Sequence, residues 1–141
     1  MLKVKIKRLH PETKLPTYAH PGDAGLDIYS IEDTTISPGG SHHFFCGFAL
    51  EFPEGYMAIV KDKGGLGTKG FHALGGVFDA GFRGEYNVFL VNLGKEPYHF
   101  EKGDKIAQLL IMPVERAELI EANTLSETSR GKGQFGSTGR K

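Results

Sequence analysis

Short apolar or alternating segments recur along the chain, separated by turns that contain glycine or proline. Near the N-terminus, Leu2, Val4 and Ile6 alternate with lysines, the period-two pattern of a strand with one buried face. β-branched and aromatic residues favour strands, so segments rich in them predict a mainly β structure. Four such segments follow: HHFFCGFALEF (42–52), YMAIV (56–60), YNVFLVN (86–92) and KIAQLLIMPV (105–114).

Turn signals divide these segments at roughly the 8–12-residue spacing of an all-β sandwich or barrel. Twenty glycines and seven prolines leave little room for helices, and only one short helix is expected, around GGLGTKG (64–70). We find no internal repeat and no linker in the middle of the chain. We therefore predict one all-β domain over residues 1–141, whose last part, about 126–141, is a C-terminal arm. The turn signals are SPGG (37–40), FPEG (52–55) and EKGD (101–104), and AELIEANTL (117–125) follows the last predicted strand.

Composition and charge exclude several classes of function. Seventeen Lys+Arg balance seventeen Asp+Glu, so the chain has no overall charge that would attract a nucleic acid. The single Cys46 rules out an intramolecular disulfide and a multi-cysteine metal site. His42 and His43 point to opposite faces of a strand and the other histidines are scattered, so no zinc site is expected. No signal-peptide core or membrane-length apolar run is present, and we expect a cytoplasmic protein with no membrane partner.

The segment RGKGQFGSTGR (130–140) contains G-x-G-x-x-G at Gly131, Gly133 and Gly136. A dinucleotide site needs a helix after this pattern and an acidic residue about 20 positions on. The chain ends at Lys141, so that interpretation is excluded. The residues leave two alternatives open: a solvated, disordered tail, or an arm whose aromatic ring stacks on a base while its polar groups hold phosphates.

Four other segments carry candidate functional residues, and two of these residues have a simpler structural explanation. Asp79 lies in a pattern typical of a β-hairpin, where a turn aspartate is common. Gln108 interrupts an apolar strand and could simply be an exposed polar side chain. The order Gly67-Thr68-Lys69 does not match a Walker loop. The segments are AGLDIYS (24–30), DKGGLGTKG (62–70), GGVFDAGFRGEY (75–86) and GDKIAQLLI (103–111).

Taken in order, these four segments and RGKGQFGSTG resemble the five motifs of the trimeric dUTPases, from about residue 22 to the C-terminus. The resemblance implies a distorted β-barrel or jelly roll and a homotrimer with active sites shared between subunits. It also implies Mg²⁺-dependent hydrolysis of dUTP to dUMP and pyrophosphate, which limits uracil in DNA and supplies dUMP for thymidylate synthesis.

The resemblance assigns roles to individual residues. Asp79 would be the general base that orients a water for attack on the α-phosphorus. The backbone at Gly75 and Gly76 would read the uracil edge, Phe82 would lie against the deoxyribose, and the arm would close over the site. Asp27 would engage Mg²⁺ through water. The phosphate contacts would come from Lys63, Gly64, Gln108, Arg130, Ser137 and Thr138, and further nucleoside contacts from Phe135, stacked over uracil, and Gly136.

The chain departs from the family pattern at several positions. Lys63-Gly64-Gly65-Leu66 stands where Arg-Ser-Gly-Leu is usual, which keeps a charge but loses the bidentate guanidinium and a hydroxyl. Phe82 replaces a tyrosine, Gly81 an acid, and Gln134 a glycine. We expect activity with altered phosphate affinity.

Three other functions compete with this one. A dCTP deaminase shares the fold but lacks such a tail and uses a glutamate. A non-catalytic nucleotide-binding regulator would be consistent with Gly64 in place of serine. A structural β-domain with a disordered tail does not explain the order of the five motifs.

Overall fold

The computed structural model describes all 141 residues and contains eleven strands and one short helix, so the all-β prediction is confirmed. The elements in chain order are β1 (Lys5–Arg8), β2 (Leu26–Tyr29), β3 (Thr34–Ile36), β4 (Ser41–Phe45), β5 (Phe48–Glu51), β6 (Tyr56–Lys61), α1 (Gly64–Gly67), β7 (Phe71–Leu74), β8 (Val77–Phe78), β9 (Asn87–Asn92), β10 (Tyr98–Phe100) and β11 (Lys105–Pro113).

The strands form two larger sheets and two strand pairs, all antiparallel. The four-stranded sheet has the order β2-β11-β6-β8, and the three-stranded sheet has the order β4-β9-β7. The smaller pairs are β1 with β5 and β3 with β10. Because β11 is the longest strand and lies inside the four-stranded sheet, it brings residues from distant parts of the chain into one register.

Most predicted segments correspond to single strands, and the segment 42–52 is the exception. It divides into β4 and β5 at Gly47, whose φ of +75° lies in the left-handed region. A Cβ at this position would lie 2.0 Å from Thr13 Oγ1, so only glycine fits the bend. The helix predicted around residues 64–70 is α1, a single turn.

The core is one cluster of twenty buried residues drawn from both larger sheets. Its aromatic rings stack in series: Tyr86 lies 4.3 Å from Phe78 at an interplanar angle of 17° and 5.3 Å from Phe48. Such pairs contribute about 0.5–1.5 kcal/mol each beyond the area that they bury. They fix both ends of the loop that follows β8, which carries Asp79.

The prediction of a β-hairpin over residues 75–86 was wrong, because β8 and β9 do not pair with each other. β8 pairs with β6, whereas β9 pairs with β4 and β7, so the strands on either side of Asp79 belong to different sheets. The chain crosses from one sheet to the other at Gly75 and Gly76, whose φ angles are +64° and +97°. Both residues adopt left-handed backbone angles, which residues with a side chain rarely do.

After Pro113 the chain forms no further helix or strand. Its last hydrogen bond to the sheets runs from the Val114 N–H to the Gly55 carbonyl at 2.9 Å. Residues 115–141 are all exposed, and their hydrogen bonds are local. No helix of the structure combines the length and the apolar character that a membrane crossing requires.

Candidate active site

Three of the predicted site residues meet at one end of the four-stranded sheet: Asp27, Lys63 and Gln108. Gln108 of β11 pairs with Asp27 of β2 on one side and with Lys61 of β6 on the other. Lys63 follows two residues after Lys61 and precedes α1. We call Lys63, Gly64 and Gln108 the phosphate cluster, after the role that the sequence predicts for them.

The side chain of Gln108 is held in one orientation. Its Nε2 donates a hydrogen bond to the Asp62 carbonyl at 2.8 Å. Its Oε1 lies against Gly25, where an added Cβ would come within 2.4 Å of that oxygen. Gly25 therefore leaves the space that Gln108 needs.

Asp27 lies beneath the phosphate cluster, with a side chain only 4% exposed. Lys63 Nζ is 2.5 Å from Oδ1 and Lys105 Nζ is 2.7 Å from Oδ2. The first contact has hydrogen-bond geometry, and the second is an ion pair that leaves Oδ2 without another partner. The carboxylate is thus neutralised by two ammonium groups.

The two lysines set the protonation of this buried group. Burial alone would raise the pKa of Asp27, but the close contacts with Lys105 and Lys63 and the charges of both lysines outweigh it and lower the pKa below the usual aspartate value. The close contact with Asp27 and the negative charge of its carboxylate in turn raise the pKa of Lys105. Because the pKa of Asp27 is lower in the folded state than in the unfolded state, its ionised form stabilises the fold at pH values above the unfolded-state pKa. That stabilisation is lost as the pH falls through the folded-state pKa.

Asp27, predicted to engage Mg²⁺ through water, lies between two ammonium groups. A protein-bound Mg²⁺ prefers oxygen ligands, but both Asp27 oxygens face ammonium groups, and no group of three or more His, Cys, Asp or Glu side chains is suitably placed. As arranged, these residues do not fit a metal held by the protein. Asp27 could meet a metal-bound water only if a lysine moved away, and its role stays a prediction.

Asp62 connects the phosphate cluster to the neighbouring sheet. Its Oδ1 accepts a hydrogen bond from the Ala73 N–H at 2.6 Å, and its Oδ2 lies 2.8 Å from His72 Nδ1. Burial would raise the pKa of Asp62, but the hydrogen bonds from His72 and Ala73 and the charges of His72 and Lys61 lower it. The carboxylate is therefore ionised at neutral pH.

Gly75 and Gly76, predicted to read the base, present backbone groups that the fold leaves free. The Gly76 carbonyl accepts from the Val60 N–H at 2.8 Å, but the Gly75 N–H, the Gly75 carbonyl and the Gly76 N–H make no hydrogen bond within the chain. One acceptor and two donors thus lie together at the crossover between the sheets.

Asp79 lies directly after β8 and is exposed. It borders a cleft of about 410 Å³ whose walls include Tyr56, Met57 and Val77. The Asp79 carbonyl accepts from the Phe82 N–H at 3.1 Å, which closes a turn. The carboxylate itself makes no hydrogen bond within the chain and faces solvent.

Phe82, predicted to lie against the deoxyribose, packs against two aromatic residues of the core. Its ring lies 5.6 Å from that of Phe78 and 5.8 Å from that of Tyr86. Gly84 lies so close beneath the ring that a Cβ there would be 2.6 Å from Phe82 Cζ. The residue is 37% exposed, so part of it remains available for contact.

Within a single chain, Asp79 lies far from the phosphate cluster. The register places Asp79 beyond the Phe78–Ala58 pair, near Met57, whereas Gln108 pairs with Lys61. Four residues along a strand and two strand spacings across the sheet correspond to about 13 Å and about 10 Å. The two groups therefore do not converge within a single chain.

The arm contributes to neither group. Arg130 Nε donates to the Gly133 carbonyl at 3.0 Å and the Ser137 N–H donates to the Gln134 carbonyl at 3.0 Å, both within the arm. Phe135 is 95% exposed, and Gly136 and Thr138 are exposed as well. The predicted arm residues lie together in sequence but do not contact the rest of the site.

Sequence reasoning missed Lys105, Asp62 and His72, which hold the predicted residues in place. Lys105 begins a predicted strand, and only the pairing of β11 with β2 brings it to Asp27. Asp62 and His72 are ten residues apart and meet because the chain turns back through α1. No short spacing rule would have identified these contacts.

Known proteins of one family are similar to this chain in sequence and in fold. A family model described as dUTPase matches residues 11–139. The chain is 44% identical to the deoxyuridine 5'-triphosphate nucleotidohydrolase of Alkaliphilus metalliredigens over 100% of both chains. It is 47% identical to that of Beijerinckia indica subsp. indica, covering 97% of this chain and 91% of the relative.

Solved structures show the same fold. The dUTPase of Staphylococcus bacteriophage 80alpha with dUpNHpp matches with a TM-score of 0.90 and 26% identity over 97% of this chain and 98% of that one. A mutant dUTPase from phage phi11 of S. aureus, described with a structural Mg(II) ion, matches with a TM-score of 0.80 at 23% identity over 86% of this chain and 97% of that one, a likeness of fold alone. The family model and the similar sequences span nearly the whole chain, and the chain therefore belongs to the dUTPase family.

Proposed function

We propose that this protein hydrolyses dUTP to dUMP and pyrophosphate by attack of water on the α-phosphorus. The observation that carries this proposal is the family match over residues 11–139, which includes all of the predicted site residues. The relatives at 44% and 47% identity are named for this activity. The geometry of the individual side chains supports the roles described below.

Asp79 is the proposed general base. Its carboxylate is exposed at a cleft and has no hydrogen-bond partner within the chain, so it can accept a proton from a water molecule while orienting it. A positioned base of this kind typically contributes about 10²–10⁴-fold to the rate. Most of the remaining acceleration comes from positioning and neutralising the triphosphate.

The crossover at Gly75 and Gly76 is the proposed uracil-recognition site. Uracil offers an N3–H donor between two carbonyl acceptors, which complements one free carbonyl and two free N–H groups. Cytosine offers an acceptor and an amino group instead, and would leave backbone groups unpaired at a cost of about 1–3 kcal/mol each. Phe82, supported by Phe78 and Gly84, lies against the deoxyribose and leaves no room for a 2′-hydroxyl.

The phosphate cluster and the arm hold the triphosphate. Lys63 supplies a positive charge, Gly64 a backbone N–H and Gln108 an amide. Arg130, Ser137 and Thr138 add contacts when the arm closes, while Phe135 covers the base. Closure excludes water and strengthens each electrostatic contact.

The active site is shared between copies of the chain in a homotrimer. The phosphate ligands must lie within hydrogen-bonding reach of one triphosphate, and the general base must reach it through the attacking water. Within one chain, Asp79 is separated from Gln108 along and across the sheet, and the arm contacts neither group. Residues of neighbouring subunits complete the set if the chain assembles symmetrically.

Mg²⁺ enters with the substrate in this proposal. The ion usually keeps several waters and binds substrate phosphates rather than a cage of protein ligands. This accords with the absence of a protein metal cluster and with the neutralised Asp27. The residues of this chain then bind the Mg²⁺–dUTP complex through its phosphates and its base.

The test of this function is to incubate the protein with Mg²⁺ and each dNTP and to identify the products. We expect dUMP and pyrophosphate from dUTP alone. Asp79→Asn should lower kcat by at least about 10²-fold while leaving the Kd for a non-hydrolysable dUTP analogue within about threefold. Retained turnover in Asp79→Asn would contradict its assignment as the base.

Other outcomes would favour the competing functions. Deoxyuridine nucleotides formed from dCTP would indicate a deaminase, and binding of dUTP without turnover would indicate a regulator. Glu54→Gln is a matched control, because this glutamate borders the same cleft and has no assigned role. Its kcat should remain within about twofold of the unchanged protein.

A further inference from the structure

Asp62 has no role in the proposed mechanism, but it forms hydrogen bonds to several parts of the chain. It is the residue between the end of β6 and Lys63, and its backbone carbonyl accepts the hydrogen bond from Gln108 Nε2 at 2.8 Å. Its carboxylate reaches across to β7, where it accepts from the Ala73 N–H at 2.6 Å and lies 2.8 Å from His72 Nδ1. One residue therefore contacts three separate parts of the chain.

These contacts close a loop. The bond between the Asp62 carboxylate and the Ala73 N–H joins the two ends of residues 62–73, which contain Lys63, Gly64 and α1. The Lys63 carbonyl also accepts from the N–H groups of Leu66 and Gly67. The backbone that carries the phosphate cluster is thus bounded by a hydrogen bond to an ionised group, which is stronger than one between neutral groups.

The contribution of His72 differs from that of Ala73. The His72 side chain is 50% exposed and that of Asp62 is 29% exposed, so solvent weakens this contact. The Ala73 N–H belongs to a strand and cannot move independently. The bond to Ala73 therefore fixes the loop, and His72 orients the carboxylate that makes it.

We propose that Asp62, oriented by His72, is a positioning residue that holds Lys63, Gly64 and Gln108 in their phosphate-binding arrangement before substrate enters. This inference rests on the proposed role of those three residues. It assigns to Asp62 no contact with substrate. Its effect is to reduce the ordering that binding would otherwise require.

Asp62→Ala tests the inference. We expect kcat/KM for dUTP to fall about 10- to 100-fold, mainly through a higher KM, because the ligands lose their fixed spacing. Hydrogen exchange at the amides of residues 64–69 should become faster, although the protein remains folded. Asp62→Asn keeps an oxygen for Ala73 and should recover part of the loss.

His72→Phe should raise KM by only about two- to fivefold, since the bond to Ala73 remains. His99→Gln is the matched control, because this exposed histidine forms a 2.8 Å hydrogen bond with Thr35 Oγ1 on the separate β3–β10 pair. The KM of this variant for dUTP should equal that of the unchanged protein. If Asp62→Ala does not fold, Asp62→Asn decides the question, because its neutral oxygen should still give a higher KM than the unchanged protein.

Lys63→Ala separates this inference from the proposed function. If Lys63→Ala raises KM but neither Asp62 variant does, the positioning role is wrong and the phosphate role stands. If Lys63→Ala leaves KM unchanged, the phosphate role is wrong and the positioning role fails with it. Loss of stability in Asp62→Ala without any change in KM or local exchange would also overturn the inference.

Discussion

Single glycines decide where the functional side chains of this protein can lie. Gly25 is a clear case, because the space of its missing Cβ is occupied by Gln108 Oε1. Gly64 is the opposite case, since a side chain there would meet nothing within 4 Å. Replacement of the family's serine by Gly64 therefore removes a hydroxyl without relieving any crowding.

Gly25→Ala should displace Gln108. The new Cβ would lie 2.4 Å from Oε1, so the side chain must rotate and give up its bond to the Asp62 carbonyl. We expect KM for dUTP to rise about tenfold with a smaller change in kcat, measured by steady-state pyrophosphate release. Gly67→Ala, where a Cβ meets nothing within 4 Å, should leave KM within about twofold. Equal KM values for the two variants would contradict this account of Gly25.

The ionisation state of a buried side chain also depends on residues that are distant from it in sequence. Asp27 is ionised although it is buried, because Lys63 and Lys105 approach it from two different elements. Leaving such a group unpaired would cost several kcal/mol. The lysines at these positions thus stabilise the fold in addition to any contact that they make with phosphate.

At the scale of elements, the sheets and the arm have different tasks. β11 and β6 place the phosphate cluster by register, and the crossover at Gly75 and Gly76 exposes backbone groups. The arm has no hydrogen bond to the sheets beyond Val114. Its Phe135 is exposed and has no stabilising role within the isolated chain; its proposed role is to cover bound substrate.

Truncation of residues 130–141 should leave the fold intact and reduce activity. Because the segment is exposed and bonds only to itself, Tm should change by less than about 2 °C. We expect kcat/KM to fall at least about 100-fold, since closure over the substrate is lost. Lys132→Ala, an exposed arm residue without an assigned contact, is the control. An unfolded product, or full activity, would contradict this role of the arm.

The whole molecule raises the question of which subunit supplies which group. Asp79 and the phosphate cluster lie on different parts of one sheet, and no conformational change within a strand register brings them together. In the proposed homotrimer, a site assembled from several copies would bring them to one triphosphate without distorting the sheet. Activity would then depend on assembly.

Mixing two impaired variants, assayed at a dUTP concentration well below KM, tests the shared site. Asp79→Asn and Lys63→Ala, unfolded and refolded together in equal amounts, should regain activity in about a quarter of the sites if base and phosphate ligands come from different subunits. Separately refolded samples, mixed only afterwards, are the control and should show no more activity than the two variants measured alone. No recovery in the refolded mixture, with mixed oligomers verified by mass, would show that one chain supplies both groups.

The sequence by itself determined the class of fold and the family. Period-two patterns and turn residues depend on neighbours only a few positions apart, and they predicted β6, β9, β11 and the short α1 correctly. The ordered motifs indicated a dUTPase, which the comparisons confirmed. The roles of the individual site residues are still predictions.

Only the tertiary structure decided how those residues are arranged. It divided one predicted segment at Gly47, replaced the predicted hairpin by a crossover at Gly75 and Gly76, and brought Lys105 to Asp27. The physical reason is that strand partners, buried ion pairs and close approaches join positions far apart in the chain. Their energies depend on the register of the whole sheet, and a local pattern of residues does not contain that information.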